Sequence, residues 1–332
     1  MTTKDRMSIM NRFNSYLVSL IKDILRINLT LFKVMIPTIV VVKILEEIGA
    51  IPYIAHLLSP FMALVGLPEE VSVIWAATIL TTNYTGMLLF FQYIQHDPLS
   101  IAQTTVLASM MLMAHSLPVE CAIARKAGVR VLYTVSLRIG VGLLMGWLLH
   151  ISYSYSNIFQ ETNVLLWQPS VSTPDASLAA WVLEQLHSFV YIFLMIAGLV
   201  IGLRILKAIG LEALLKKLLR PLLRLTGIHA DAANFTLVGM TLGLSFGGGL
   251  LIDEAKRGTL QPKDIFLSVS LLCLCHSLIE DTILMLMLGS DLISILLVRV
   301  VFSILIMMLI VRLYPLLSQT LQTRFLIVSG TR

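Results

Sequence analysis

Long apolar stretches recur along the chain, and they constrain its fold more than any other feature. About 20 apolar residues are enough for an α-helix to cross the ~30 Å hydrocarbon core of a bilayer. These stretches are continuously apolar rather than alternating, which argues against a transmembrane β-barrel. With 57% hydrophobic and 13% charged residues, the chain also has too little polar surface for a soluble globule. We therefore predict an all-α polytopic membrane protein. The stretches lie near 29–48, 99–117, 131–152, 180–203, 264–281 and 292–314.

The first 28 residues differ from the apolar stretches that follow. They carry basic residues ahead of apolar positions at helical spacing, and they offer no compact apolar core with a small-residue cleavage site. This pattern is typical of an amphipathic helix lying in the membrane interface. We expect residues 1–28 to form an N-terminal interfacial helix that is retained and leads into the first span.

Two short polar motifs interrupt the most apolar parts of the chain. "HSLPVE" begins at His115 and "HSLIED" begins at His276, 161 residues later. The same offset aligns other special residues without a gap, which predicts an internal repeat. The predicted units are repeat 1 (29–154), an external linker (155–174), repeat 2 (175–315) and a cytoplasmic tail (316–332). The further matched pairs include Gly49 and Gly210, Pro60 and Pro221, Gly66 and Gly227, Gly86 and Gly247, and Arg138 and Arg299.

Loop charges predict that the two repeats have opposite orientations in the membrane. Lys and Arg are concentrated in cytoplasmic loops. The 204–224 segment holds six Lys and Arg residues, whereas its counterpart, 43–63, holds Lys43 alone. The bias reverses further along, where 122–130 is basic and 283–291 is not. The sequence thus predicts an inverted-topology pair.

Each repeat is also predicted to contain a re-entrant helical hairpin. The loop charges place the two ends of one apolar segment on the same side of the membrane in each repeat. The middle of that segment reads "TTNYTG" at 81–86 and "LSFGGG" at 244–249, both rich in residues that tolerate turns. Irregular backbone at membrane depth is tolerated only inside protein or along a wet cavity. A plain glycine-rich kink in a full span is the alternative.

The repeat and the helical rise predict one cluster of ionisable side chains near the bilayer centre. If Arg125 marks the cytoplasmic end of its helix, His115 lies ~15 Å deeper. The inverted copy places the second motif at a similar depth. Charged groups in a span are costly, so these residues imply partners, water or a ligand. The predicted site residues are His115, Glu120, Arg138, His276, Asp281 and Arg299.

Three interpretations of this cluster remain open. Two arginines favour an anionic or phosphate-bearing solute, and histidine offers proton coupling. Two histidines with carboxylates also suit a divalent metal, with His276 and Glu280 spaced i, i+4. Alternatively, the charges only neutralise each other and hold the helices together. We favour the anion and expect no resident metal or cofactor, no enzymatic activity and no nucleic-acid partner.

An inverted pair with a Gly- and Asn-containing hairpin and a polar motif in each half resembles the nucleoside recognition, or Gate, domain family. That family includes spore-maturation membrane proteins and the permease portion of ferrous iron transporters. The resemblance implies two Gate units and a transport function, with the hairpin tips touching the solute. This chain differs in lacking a GTPase portion and matched cysteines in its spans. The residues implied at the tips are Asn83, Tyr84, Thr85, Ser245 and Gly247.

These observations together predict a transporter or lipid-phosphate flippase for an anionic small solute, which binds between the repeats. A divalent metal-ion permease and a non-transporting scaffold are the alternatives. We expect a multi-pass protein of the bacterial cytoplasmic membrane with both termini in the cytoplasm. The amphipathic segments 44–66 and 205–227 suggest a homodimer.

Overall fold

In the computed structural model of the chain, the described residues are 3–94, 97–165 and 178–327. The side chains of residues 3–16, 54, 178, 245 and 246 lie outside this description. Within it, the chain is helical, with turns and two isolated β-bridges between the helices. This confirms the predicted all-α fold.

The helices of the first half follow one another through short turns. A short 3-10 turn, Glu69–Val71, precedes α3. Nearly every residue of α5 is buried, so this helix lies in the core. The helices are α1 (Thr3–Glu47), α2 (Ile51–Leu64), α3 (Ser72–Leu80), α4 (Asn83–Tyr93), α5 (Ile101–Met113), α6 (Leu117–Lys126) and α7 (Val131–Ser156).

The second half has the same order of elements. A π-helical segment, Ile293–Val298, leads into α14, and short 3-10 and π-helical turns follow it up to Leu326. The α12 helix is as deeply buried as α5, and shifting α5 by 161 residues gives the bounds of α12. The helices are α8 (Leu178–Ala208), α9 (Leu211–Leu225), α10 (Ala230–Leu242), α11 (Leu244–Arg257), α12 (Pro262–Leu274), α13 (Glu280–Leu286) and α14 (Arg299–Leu313).

Five helical segments of the described chain are long and apolar enough to cross a membrane. A sixth candidate consists of α2 and Glu69–Leu80, which are bent by 107° and form either a broken span or a re-entrant loop. The inverted orientation of the halves depends on the position of the membrane and stays a prediction. The five segments are Leu17–Glu47, Ile101–Lys126, Val131–Ser156, Ala179–Ala208 and Ile293–Leu316.

Each half contains a tight helical hairpin at the predicted place. In the second half, α10 and α11 cross so closely that a Cβ on Gly247 would lie 2.3 Å from the Cα of Gly239. In the first half, a Cβ on Gly86 would clash with the Thr78 side chain. In each hairpin, the two contacting residues lie equally far before and after the turn. The arms of each hairpin therefore run antiparallel. Glycine is needed at 247 because two backbones meet there.

Both polar motifs break a helix, which differs from the continuous helices used to estimate depth from the sequence. The α5 helix ends at Met113 and α12 ends at Leu274. Ser116 (φ 49°) and Ser277 (φ 51°) then adopt left-handed conformations, which turn the backbone. As a result, each histidine lies in a turn between two helices and not on a helix surface.

The predicted boundary segments are placed as follows. Residues 3–28 continue into the first span within α1, with no break at 28. The start of the linker packs against the core, since the Asn163 amide donates to Thr104 Oγ1 (3.1 Å) and to the Leu288 carbonyl (2.7 Å). The tail contacts the α6–α7 turn through Arg130, whose guanidinium donates to the Thr323 carbonyl. Residues 166–174 of the predicted linker and 175–177 of the predicted repeat 2 lie outside the described residues.

Candidate functional site

His115 and His276 meet where the two broken helices end. Their Nε2 atoms are 3.1 Å apart, and both side chains are buried. One histidine belongs to each half of the chain, so the contact joins the halves at equivalent positions. The sequence analysis placed the two histidines at a similar depth, and their role as a solute site stays a prediction.

The hydrogen bonds of the two rings define which nitrogen carries the proton. His115 Nδ1 lies 2.8 Å from the Met111 carbonyl, and His276 Nδ1 lies 2.6 Å from the Leu272 carbonyl. A carbonyl oxygen can only accept, so each Nδ1 must be the donor. In the neutral rings, both Nε2 atoms therefore present lone pairs to each other. Two lone pairs at this distance repel unless a proton or a cation lies with them.

Two carboxylates complete the group around the histidine pair. Glu120 Oε1 is 3.2 Å from His115 Nε2 and 3.3 Å from His276 Nε2. Asp281 Oδ2 is 3.8 Å from His115 Nε2. One ligand atom from each histidine and from Asp281 lie within 4.8 Å of one another, as in a metal-binding cluster. Glu120 and Asp281 occupy equivalent positions in the two halves.

The distances among three of these atoms match a metal coordination face. His115 Nε2, His276 Nε2 and Glu120 Oε1 form a nearly equilateral triangle with edges of 3.1, 3.2 and 3.3 Å. Ligands at ~2.0 Å from a tetrahedral Zn²⁺ are separated by roughly 3.3 Å. The backbone carbonyls on both Nδ1 atoms supply the outer hydrogen bonds that metal-binding histidines normally have. The three atoms can therefore bind one divalent ion with little rearrangement.

Arg138 and Arg299 mainly satisfy the ends of the broken helices. Arg138 Nε donates to the Met113 carbonyl (2.8 Å), and its Nη1 pairs with Glu120 Oε2. Both guanidinium groups are fully buried. Free carbonyls at a helix C-terminus carry partial negative charge, which explains why a cation lies at each break. Arg299 donates to the carbonyls of Leu274, Leu112 and His276.

The first hairpin tip reaches the second polar motif. Asn83 and Tyr84 begin α4, and the Tyr84 hydroxyl donates to Glu280 Oε1 at 2.9 Å. Thr85 is buried in the first turn of α4, where its backbone N–H donates to the Thr82 hydroxyl. This tip therefore contacts Glu280, the residue that precedes Asp281 of the cluster. The sequence signal for it was an acidic residue one turn after His276 in an apolar segment.

The second hairpin tip contributes packing. Gly247 is buried against α10, as described above, and Gly243 takes the left-handed φ of 99° at the turn. A Cβ on Gly243 would lie 3.0 Å from Ser277 Oγ, so this turn also approaches the second motif. The side chain of Ser245 lies outside the described residues. Solute contact by these tip residues stays a prediction.

Comparison with known protein families finds a match for the first half of the chain. Residues 29–130 match the family described as Gate, nucleoside recognition. The matched segment contains the first hairpin, His115 and Glu120. A second Gate unit, matching residues 175–315, stays a prediction.

A curated relative supports the membrane assignment. The chain is 25% identical over 283 residues to YvoD of Bacillus subtilis (strain 168), described as an uncharacterized membrane protein. The similarity covers 84% of this chain and 88% of that protein. No solved structure matches the chain. The chain is thus a membrane protein with several apolar helices and a segment similar to the Gate family.

Proposed function

We propose that the protein transports a divalent transition-metal ion across the bacterial cytoplasmic membrane, with both termini in the cytoplasm. The observation that carries this proposal is the 3.1–3.3 Å triangle of His115 Nε2, His276 Nε2 and Glu120 Oε1. Imidazole and carboxylate ligands together suit Zn²⁺, Mn²⁺ and Fe²⁺. In this proposal the ion is cargo, and the protein is a transporter rather than an enzyme.

The charge balance around the histidines supports a cation as cargo. Two guanidinium groups lie near the carboxyl groups of Glu120 and Asp281, and Glu280 precedes Asp281 in the chain. The guanidinium groups also donate to helix-end carbonyls, which carry partial negative charge. If all three carboxyl groups are ionised, an ion of charge +2 enters a site whose fixed charges are net negative. This arrangement offsets the repulsion that two arginines alone would cause.

The broken helices supply the ligands in a form that suits transport. In many transporters, discontinuous helices hold the site near the bilayer midplane, and the two repeats move around it. Here His115 and His276 lie in turns from different halves. Moving one half relative to the other would separate the Nε2 atoms and release the ion. A metal held only by residues of one half would lack this coupling.

An anionic solute remains the second candidate function. Arg138 Nη2 and Arg299 Nη1 are buried, and neither has an acceptor among the described residues. An anion between these two N–H groups would satisfy both. Measuring which ligands stabilise the protein tests both candidate functions.

Ligand-induced thermal stabilisation of the purified protein separates the two functions. The panel contains Zn²⁺, Mn²⁺, Fe²⁺, inorganic phosphate, carboxylates and nucleosides. A ligand at 100 times its dissociation constant adds ~2.7 kcal/mol of stability. We expect metals to stabilise the wild type but not His276→Gln. His229→Gln is the matched control, because the His229 side chain is 70% exposed.

Three results would go against this proposal. Stabilisation by phosphate alone, lost in Arg299→Gln, would support the anionic solute instead. Metal stabilisation that persists in His276→Gln would place the ion elsewhere. A folded protein that no member of the panel stabilises would contradict both transport candidates.

A further inference from the structure

The α9 helix presents three different faces to its surroundings. Leu219 and Leu223 are buried against the protein, whereas Leu214 and Leu218 are 51% and 57% exposed. The basic residues of α9 occupy a third face, since at about 100° per residue they fall within an arc of roughly 100°. These residues are Lys216, Lys217, Arg220 and Arg224. This distribution is typical of a helix at the boundary between lipid chains and headgroups.

The basic face of α9 borders a cavity of about 410 Å³. One wall comes from α9 and the other from α10, so the cavity lies outside the histidine cluster. Leu237 is buried in the wall, while Asn234 offers an amide at the exposed end. The residues lining the cavity are Lys216, Lys217, Arg220, Asn234, Leu237 and Val238.

Two of the three cations at this cavity are available for a ligand. Lys216 pairs with Glu212 at 2.6 Å. In the described part of the chain, no ion pair involves Lys217 or Arg220. The planar guanidinium group of Arg220 offers several N–H donors, and Lys217 offers a mobile ammonium group. This combination fits the oxygens of a phosphate.

The equivalent helix of the first half lacks all of this charge. The residues of α2 at the positions of Lys216, Lys217, Arg220 and Arg224 are Ala55, His56, Ser59 and Ala63. The two helices occupy the same place in the element order, so packing alone does not require the basic residues. The predicted cytoplasmic position of α9 accounts for the basic residues, and an anionic ligand on that side can use them. Anionic lipids give the cytoplasmic leaflet a negative surface potential.

We propose that the cavity between α9 and α10 binds the phosphodiester headgroup of an anionic phospholipid, through Lys217 and Arg220. A lipid is a better match than free phosphate because the exposed Leu214 and Leu218 lie on the same helix and can contact the acyl chains. Basic pockets between helices on the cytoplasmic side are typical anionic-lipid sites. The site is independent of the proposed metal transport.

Native mass spectrometry of the full chain in detergent tests this site. Phosphatidylglycerol and phosphatidylcholine are added in equal amounts, and the ratio of the two bound lipids is measured. Each Lys or Arg near the surface contributes about fivefold to binding of an anionic lipid, so Lys217→Gln/Arg220→Gln should lower the ratio roughly 30-fold. Lys256→Gln/Arg257→Gln removes the same charge from exposed residues of α11 and should leave the ratio unchanged.

All four side chains that are replaced are exposed, so both double variants should fold. Circular dichroism verifies the fold of each variant. An unchanged ratio in Lys217→Gln/Arg220→Gln would overturn the site. An equal loss in both double variants would show a general charge effect and would also overturn it. Displacement of bound phosphatidylglycerol by millimolar inorganic phosphate would identify free phosphate as the ligand and overturn the lipid assignment.

Discussion

His115 Nε2 lies 3.1 Å from His276 Nε2, although the two residues are 161 positions apart in the chain. Each half of the protein supplies one of these nitrogens and one nearby carboxylate. Neither half therefore has the complete set of ligands. This dependence makes the relative position of the halves the variable that controls binding in the proposed mechanism.

The first prediction concerns pH. A metal binds imidazole nitrogens and carboxylate oxygens only in their deprotonated forms, so protons compete with the ion. We expect the apparent affinity for the metal to fall as the solution becomes acidic. For each proton that the metal displaces, the affinity should fall about tenfold per pH unit. Titrations from about pH 8 to about pH 5.5 cover the ordinary range of histidine. An apparent affinity that rises as the pH falls would fit the anionic solute instead.

The second prediction concerns Arg138. Arg138→Gln leaves Glu120 buried without its ion-pair partner and leaves the Met113 carbonyl without its donor. Breaking such a pair typically costs about 3–5 kcal/mol of unfolding free energy. We expect a large drop in the unfolding midpoint, which is measured in detergent by circular dichroism. Arg312→Gln, on the exposed end of α14, should change it little.

A double variant distinguishes the ion pair from a general loss of packing. Arg138→Gln/Glu120→Gln removes both charges, so its loss should be smaller than the sum of the two single losses. Additive losses would show that the pair contributes little.

The third prediction uses two glycines of the same helix. Gly247→Ala would place a Cβ 2.3 Å from Gly239 Cα, which forces α10 and α11 apart. Overpacking of this kind costs about 1–3 kcal/mol. At Gly249 there is no atom within 4 Å of the added Cβ, so Gly249→Ala should be neutral or stabilising by up to ~1 kcal/mol. Equal unfolding midpoints for the two variants would contradict the close crossing of the hairpin.

Much of this arrangement was visible in the sequence. Five of the six apolar stretches correspond to candidate membrane spans, whereas the stretch 264–281 is interrupted where α12 ends at Leu274. The hairpin tips fall where "TTNYTG" and "LSFGGG" indicated turns. The repeat and the loop charges predicted a similar depth for His115 and His276, and the structure brings their rings into contact. Solute binding at this contact stays a prediction.

The role of the arginines was beyond the sequence. Serine gives no signal for the left-handed turns at Ser116 and Ser277, so the helix ends at Met113 and Leu274 were not predicted. Without those ends, the carboxylates are the only visible partners of Arg138 and Arg299, so the sequence left both an anionic ligand and mutual neutralisation open. Once the ends are known, the same guanidinium groups are seen to donate to carbonyls.

Metal flux into proteoliposomes tests the central claim most directly. The protein is reconstituted, a metal-sensitive dye is enclosed, and Zn²⁺, Mn²⁺ or Fe²⁺ is added outside. We predict saturable uptake by the wild type and by His229→Gln, and at least a tenfold loss in His276→Gln because one ligand is missing. Absence of uptake by folded wild-type protein, or equal uptake by His276→Gln, would contradict the account.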